Sequence, residues 1–230
     1  MINIQNNILA VENKIAQAAL AAQREDKIQL LAVSKTKPVS LIKEAFKQGL
    51  SHFGENYVQE SVEKIQQVKL DPEFDKPICW YFIGPLQSNK TRPVAENFDW
   101  VQSVDRLKIA QRLNQQRPEG MPNLNICLQI NISEEETKSG TTLSQVMELA
   151  SQVQQLSRLK LRGIMAIPQK SDNPKVVEQQ FLTLHQIFTQ LQQQYPDIDT
   201  LSMGMSGDLE SAIKCGSTMV RIGTDIFGAR

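Results

Sequence analysis

Apolar residues along the chain follow two alternating patterns: short continuous runs, and longer stretches with apolar positions three and four residues apart. The run from Ile28 to Ser34 is of the first kind and predicts a buried strand. Ile4, Ile8 and Ile15 belong to a stretch of the second kind, which predicts an amphipathic helix before that strand. The same patterns predict eight strands, at residues 28–34, 51–54, 78–83, 100–103, 124–132, 159–167, 200–203 and 219–222, with helices between them.

Strands that alternate with helices along a chain form a parallel sheet. Residues 124–132 support this prediction, because they are apolar at most positions and suit a strand that is covered on both faces. Eight such units favour a closed TIM-type (β/α)8 barrel over an open sheet, because closure leaves no edge strand. No glycine-rich dinucleotide turn follows the first strand, which also disfavours the open sheet. We therefore predict one α/β barrel domain over residues 1–230, with an additional N-terminal helix.

Composition narrows the class of protein. The 230 residues include 25 basic and 25 acidic residues, and a net charge of zero argues against a broad nucleic-acid or anionic-membrane surface. The first 23 residues are too polar for a signal sequence, and no apolar run is long enough for a bilayer. Three dispersed cysteines and two histidines form no zinc-binding pattern, and they indicate a protein of the reducing cytoplasm.

Candidate chemistry lies where the predicted strands end. Functional groups in such barrels occupy the carboxyl ends of the strands, and phosphate is often bound by the loops after strands seven and eight. Lys35 follows the first strand, Ser206 lies in the glycine-containing turn after the seventh, and Gly223 and Thr224 follow the eighth. Taken alone, each turn could be a helix cap or a simple turn. Together, their backbone N–H groups and hydroxyls can surround a phosphate.

A lysine opposite a phosphate site makes a phosphate-bearing aldehyde the natural ligand. The amine condenses with an aldehyde only when it is unprotonated, so partial desolvation or a nearby cation such as Arg221 would have to lower its pKa from about 10.4. Lys37 is the rival nucleophile, and we expect it to be exposed beside Pro38. Asp208 would repel a phosphate, so we expect its carboxylate to point away from the site.

Several motifs carry a resemblance to a known family. They are LLAVSKTKP at residues 30–38, HFGENYVQE at 52–60, FIGPLQSNK at 82–90, LRGIMAIP at 161–168, SMGMSGD at 202–208 and STMVRIGTDIFGAR at 217–230. In this order, and over nearly the whole chain, the sequence resembles the pyridoxal phosphate homeostasis protein family, single-domain relatives of the barrel domain of bacterial alanine racemase. The resemblance implies a fold-type III barrel that binds pyridoxal 5'-phosphate (PLP).

The resemblance also implies a role for individual residues. PLP would be held as a covalent Schiff base on Lys35, with its phosphate at Ser206, Gly223 and Thr224, its pyridine nitrogen at Arg221 and its phenolic oxygen near Asn56. Met165 and Met203 would line the pocket, although core packing is the better explanation of both. Tyr81 departs from the histidine that relatives often have before Phe-Ile-Gly, and we expect it in the core or at the rim.

Arg221 also bears on the kind of function. An arginine can only donate a proton in a hydrogen bond, so it would keep the ring nitrogen unprotonated and make the ring a weaker electron sink. The chain ends at Arg230, and we expect none of the second domain that alanine racemases use. We therefore expect a monomer that serves intracellular PLP homeostasis and amino-acid and keto-acid balance without established catalysis. The partners would be PLP and PLP-dependent apo-enzymes, with no nucleic acid, membrane or metal.

Two alternatives remain open from the sequence. The first is a low-activity PLP-dependent amino-acid racemase, which would use the same lysine and cofactor for turnover. The second is a phosphate-binding barrel that holds a sugar phosphate and no PLP, and this alternative predicts a colourless protein.

Overall fold

The structure, a computed structural model, describes residues 3–133, 139–169, 171 and 173–229. Arg230, where the predicted domain ends, lies outside the described residues. The strands are β1 (Gln29–Val33), β2 (His52–Glu55), β3 (Cys79–Phe82), β4 (Trp100–Val104), β5 (Leu124–Ile130), β6 (Leu159–Ala166), β7 (Thr200–Ser202) and β8 (Met219–Ile222). They form a closed barrel in chain order, and every neighbouring pair is parallel. The predicted single (β/α)8 barrel fold is therefore confirmed.

Helices follow the strands around the outside of the barrel. They are α1 (Ile4–Ala21), α2 (Val39–Lys47), α3 (Val58–Leu70), α4 (Thr91–Asn97), α5 (Leu107–Gln116), α6 (Val146–Gln154), α7 (Pro174–Gln194), α8 (Leu209–Lys214) and α9 (Thr224–Phe227), with a 3-10 turn at Ser88–Lys90. The predicted N-terminal helix is α1, which buries Ile4, Ile8, Val11, Ile15 and Ala18. Among the described residues no helix is both long and apolar enough to traverse a lipid bilayer.

Two details differ from the sequence prediction. The turn after β8 continues into the short helix α9, because Ile226 and Phe227 bury against the barrel while the backbone N–H groups of both donate to Gly223 O. The sequence pattern predicts a helix from Asp208 to Lys214, whereas in the structure Asp208 precedes α8 as its N-cap residue. Both differences fall at the carboxyl end of the barrel, where helix bounds depend on loop contacts.

The apolar core has two layers. The larger layer lies between strands and helices, and β-strand residues such as Ala32, Phe53 and Ile222 belong to it. The smaller layer fills the barrel interior and consists of Leu31, Tyr81, Trp100, Cys127, Met165 and Met219. Leu31 lies opposite Arg221 in the register of β1 and β8, so the Arg221 side chain faces the barrel interior as Leu31 does.

Candidate functional site

Four neighbouring strands carry the residues that the sequence singles out. The barrel order places β7, β8, β1 and β2 side by side, because β1 pairs with β2 on one edge and with β8 on the other. In a parallel barrel all carboxyl ends lie on one face. The loops after these four strands therefore lie next to one another. They contain Lys35, Asn56, Ser206 and Gly223, and Thr224 begins α9 directly after the last of them.

Lys35 lies in a tight turn directly after β1. The backbone N–H of Lys37 donates to Ser34 O at 3.0 Å, so Lys35 and Thr36 occupy the two central positions of the turn. Thr36 has a φ of +63°, in the left-handed region that β-branched residues rarely adopt. The turn fixes the direction in which the half-buried Lys35 leaves the barrel wall.

Lys37 is not exposed, so that prediction is wrong. Its amine donates to Gly228 O at 3.0 Å and to Ala229 O at 2.8 Å, and the residue is half-buried. The carbonyl groups that follow α9 come within reach because β8 pairs with β1. These two contacts engage Lys37 with the end of the described chain.

A buried ion pair that the sequence pattern did not predict lies beneath the Lys35 turn. Glu55 is completely buried at the end of β2, and its Oε1 accepts from Lys64 Nζ and from Ser34 Oγ. Burial raises the pKa of Glu55, while the Lys64 amine and the Ser34 hydroxyl act in the opposite direction. The only sequence signal was a carboxylate, Glu55, directly after the predicted strand at residues 51–54, followed by the Glu60 and Lys64 pair one helical turn apart.

Asn56 follows β2, and its side chain has unused hydrogen-bonding capacity. Its Oδ1 is buried and accepts no hydrogen bond from the described residues. The loop after β3 packs tightly on its backbone, since a Cβ at Gly84 would lie 2.1 Å from Asn56 O. Only glycine allows this approach, which holds Asn56 at the carboxyl end of the barrel.

Arg221 is buried in the barrel with an exposed fraction of 5%. Its Nη1 donates to Ser202 O at 2.7 Å and to Ser202 Oγ at 2.8 Å, and its Nη2 donates to Ala166 O at 2.8 Å. Burial lowers the pKa of Arg221 to about 10, so the guanidinium remains a cation at neutral pH. Its Nε–H has no acceptor among the described residues and is available to a ligand.

Ser202 links Arg221 to a second buried polar residue. The Ser202 hydroxyl donates to Gln102 Oε1 at 2.8 Å, and the Gln102 amide contacts Met219 Sδ at 3.0 Å. Gln102 and Ser202 are both completely buried. This chain of contacts fixes the guanidinium at the level where β6 and β7 end, and the sequence offered no signal for it beyond two polar residues within apolar strands.

The turns after β7 and β8 present backbone donors. Within the described part of the chain, the N–H groups of Ser206, Gly207, Gly223 and Thr224 donate to no other residue. The Asp208 carboxylate accepts the Met205 N–H at 2.6 Å, so it is turned back onto its own loop. The turns thus keep four N–H groups and the hydroxyls of Ser206 and Thr224 for a ligand.

Helix α1 supports both turns from outside. Lys14 Nζ donates to Ser206 O at 3.3 Å, and Asn7 Nδ2 donates to Ile226 O at 2.9 Å. These bonds tie one helix to the loop before α8 and to α9. The N-terminal helix therefore holds the two turns in a fixed relation to each other.

Met165, Met203 and Tyr81 belong to the core. Met165 and Met203 are completely buried, Met165 in the barrel interior and Met203 in the outer layer. The Tyr81 ring stacks on Trp100 at 5.1 Å, and its hydroxyl lies 3.0 Å from His52 Nδ1. Burial raises the pKa of Tyr81 well above its usual value. Tyr81 is thus a core residue and does not lie at the rim.

Comparison with known proteins identifies the family. Residues 6–230 match the family described as "Alanine racemase, N-terminal domain". The pyridoxal phosphate homeostasis protein of Pasteurella multocida is 54% identical over 230 residues, which cover 99% of this chain and 97% of the relative. The protein of that name from Escherichia coli is 53% identical over 235 residues, with coverages of 100% and 98%. The chain therefore belongs to the alanine racemase N-terminal domain family, and within it to the pyridoxal phosphate homeostasis proteins.

Solved structures agree with this assignment. PipY of Synechococcus elongatus, in its form with PLP bound, has a TM-score of 0.81 and 33% identity, and the match covers 98% of this chain and 100% of PipY. An alanine racemase of Clostridium difficile has a TM-score of 0.77 at 16% identity, over 99% of this chain and 57% of the racemase chain. The racemase match reflects a shared fold.

Proposed function

We propose that this protein binds PLP, with Lys35 as the residue that attaches to the cofactor, and that it serves PLP homeostasis and amino-acid and keto-acid balance. The observation that carries the proposal is the placement of the Lys35 turn beside two turns with unused backbone donors, on neighbouring strands. The homeostasis proteins of Pasteurella multocida and Escherichia coli, and PipY with PLP bound, support it.

The turns after β7 and β8 fit the phosphate end of this cofactor. A phosphate presents several acceptor oxygens, and the four unused N–H groups with the hydroxyls of Ser206 and Thr224 form a set made of donors. Gly204 shapes the first of these turns, with a φ of +96° and only 2.6 Å between a Cβ built on it and Ala212 Cβ. We assign the phosphate to Ser206, Gly223 and Thr224.

Arg221 and Asn56 fit the ring of the cofactor. The unused Nε–H of Arg221 is a donor for the pyridine nitrogen, which must then remain unprotonated because a guanidinium offers no acceptor. The Asn56 side chain carries an amide NH₂ group that can donate to the phenolic oxygen of the ring. These assignments use the polar capacity that the described residues leave unused.

The ring environment favours a carrier over an enzyme. PLP supplies an aldehyde that condenses reversibly with a primary amine, and its ring withdraws electrons most strongly when the nitrogen is protonated. Arg221 opposes that protonation, so the site favours holding and releasing the cofactor over stabilising a carbanion. We propose a monomer that acts in the cytoplasm and releases PLP to PLP-dependent apo-enzymes.

Reduction with borohydride tests the proposal. Protein incubated with PLP, reduced and digested should carry the cofactor mass on Lys35, and Lys35→Ala should abolish it. Lys37→Ala, which removes an amine from the same turn, should keep the adduct on Lys35. An adduct on another lysine, or no adduct and no visible absorbance after incubation, would contradict the proposal.

Single enantiomers of several amino acids, offered to the loaded protein, should retain their optical purity, whereas racemisation abolished by Lys35→Ala would establish the enzyme alternative.

A further inference from the structure

The two neighbours of Lys35 are bound by one group of charged side chains. Lys64 Nζ, on α3, donates to Ser34 O at 2.8 Å, and it pairs with Glu55 Oε1 at 2.8 Å and with Glu60 Oε1 at 2.6 Å. The same Glu60 oxygen accepts the backbone N–H of Thr36 at 2.6 Å. One ammonium group and one carboxylate therefore fix the backbone immediately before and immediately after Lys35.

Ser34 is bound a second time. Its hydroxyl donates to Glu55 Oε1 at 2.7 Å, and its backbone N–H donates to Gly54 O at 3.0 Å. The residue before Lys35 thus contacts β2 through both backbone and side chain, and it contacts α3 through its carbonyl oxygen. This leaves the Cα of Lys35 little freedom to move relative to β2 and α3.

A contribution to the free energy of unfolding does not by itself explain why these charged side chains lie beneath the Lys35 turn. The side chains of Glu55 and Lys64 have exposed fractions of 0% and 7%, and the desolvation of a buried ion pair often costs as much as the pair returns. An apolar pair of similar volume would serve the core as well. The group also maintains Thr36 at a left-handed φ, a conformation that persists only where surrounding contacts enforce it.

We propose that Glu55, Glu60 and Lys64, which we call the turn clamp, are positioning residues that hold Lys35 in the orientation needed to attach the cofactor. The inference rests on the proposed attachment of PLP to Lys35 and assigns three residues to it that need not touch the cofactor. Holding the reactive amine in place before the cofactor arrives removes an ordering cost from each attachment. A protein that loads and releases its cofactor repeatedly would incur that cost in every cycle.

Glu60 offers the most selective test, because it binds the turn while its side chain remains 30% exposed. Glu60→Ala removes the acceptor of the Thr36 N–H, whereas Glu60→Gln retains an oxygen that can accept it. Glu63→Ala is the matched control, since Glu63 lies on the same helix, is exposed, and within the described part of the chain accepts a hydrogen bond from Gln59 alone. The rate of attachment is followed by borohydride trapping on Lys35, and PLP affinity by equilibrium dialysis.

Glu60→Ala should slow attachment to Lys35 by about tenfold or more, as expected for the loss of one hydrogen bond to a charged group. Glu60→Gln should restore most of the rate, and Glu63→Ala should leave it unchanged. In a Lys35→Ala background, Glu60→Ala should not alter the affinity for PLP, because the turn clamp acts through Lys35. A merely structural role would lower affinity equally in both backgrounds.

Two results would overturn the inference while leaving PLP binding intact. One is an attachment rate in Glu60→Ala equal to that of Glu63→Ala. The other is an equal loss of affinity with and without Lys35. Absence of an adduct on Lys35 in the unsubstituted protein is a different result, and it would remove the proposed function itself.

Discussion

At the carboxyl end of the barrel, the side of β1 and β2 and the side of β7 and β8 use their polar groups differently. On the side of β1 and β2, the Lys35 turn rests on charged side chains that bind one another and the turn, and of their buried atoms Glu55 Oε2 has no partner among the described residues. On the side of β7 and β8, two turns present backbone N–H groups and hydroxyls that have no acceptor among the described residues. The first side thus uses most of its polar groups to bind its own chain, with Asn56 as the exception, and the second side keeps its donors for a ligand.

The chemistry of each end of the ligand accounts for the difference. In covalent attachment a single amine must approach a single carbon atom from one direction. The backbone that carries the lysine must therefore be rigid. A phosphate offers several equivalent oxygens, and many arrangements of donors can satisfy them. The ion pairs that hold the lysine side carry a desolvation free energy. The phosphate side is held instead by hydrogen bonds from α1.

Lys64→Met should have the largest effect on the lysine side. It leaves Glu55 buried without its cation, which should lower the free energy of unfolding by about 3–5 kcal/mol. Chemical denaturation of the cofactor-free protein measures this loss. If the protein with Lys64→Met is as stable as the unsubstituted protein, Glu55 is not paired as described.

Glu55→Gln combined with Lys64→Met controls for that change. The double variant removes both charges, so it should regain most of the lost stability. The amide oxygen of the new residue can still accept the Ser34 hydroxyl. No recovery in the double variant would indicate that packing around Lys64, and not its charge, causes the loss.

Ser206→Ala combined with Thr224→Ala should weaken PLP binding on the phosphate side while leaving the stability of the protein nearly unchanged. Each hydroxyl contributes a hydrogen bond to a charged group of about 1.5–3 kcal/mol, so the affinity for PLP should fall while stability without cofactor changes by less than about 0.5 kcal/mol. Equilibrium dialysis and denaturation measure the two quantities. Thr189→Ala is a suitable control, because its hydroxyl bonds within its own helix to His185 O. Unchanged affinity would show that the backbone donors suffice.

Thr36→Gly should have the smallest effect. Relief of the left-handed conformation, which costs about 1–3 kcal/mol, outweighs the added flexibility of glycine, about 0.5–1 kcal/mol. The N–H that Glu60 accepts remains, so the free energy of unfolding should rise by about 1 kcal/mol. A fall in thermal stability would mean that the threonine side chain itself holds the turn.

Local pattern sufficed to predict the barrel. Strands such as Met219–Ile222 have bounds close to those predicted, because strand–helix alternation repeats a local signal eight times. The pattern also placed Lys35, Ser206 and Gly223 after strands whose carboxyl ends share one face. Their roles as cofactor ligands came from family resemblance and remain proposals.

The missed features depend on contacts between distant residues. Lys37 reads as surface beside Pro38, yet it reaches Gly228 and Ala229 because β1 and β8 are neighbours. Glu55 and Lys64 contradict the usual exposure of charged side chains, and only their mutual contact makes burial tolerable. A pattern of hydrophobicity carries no information about such pairs.

The pairing of β1 with β8 has a consequence for how the protein folds. Leu31 and Arg221 lie opposite each other although 190 residues separate them in the chain, so this contact closes a loop that contains most of the molecule. Contacts between residues so far apart in the chain form slowly, because closing a long loop costs conformational entropy. Lys35 directly follows one strand of this pair, and Arg221 lies on the other. A chain that is partly synthesised, or in which β1 and β8 have separated, therefore lacks the complete site. Retention of the cofactor would then report whether the barrel is closed.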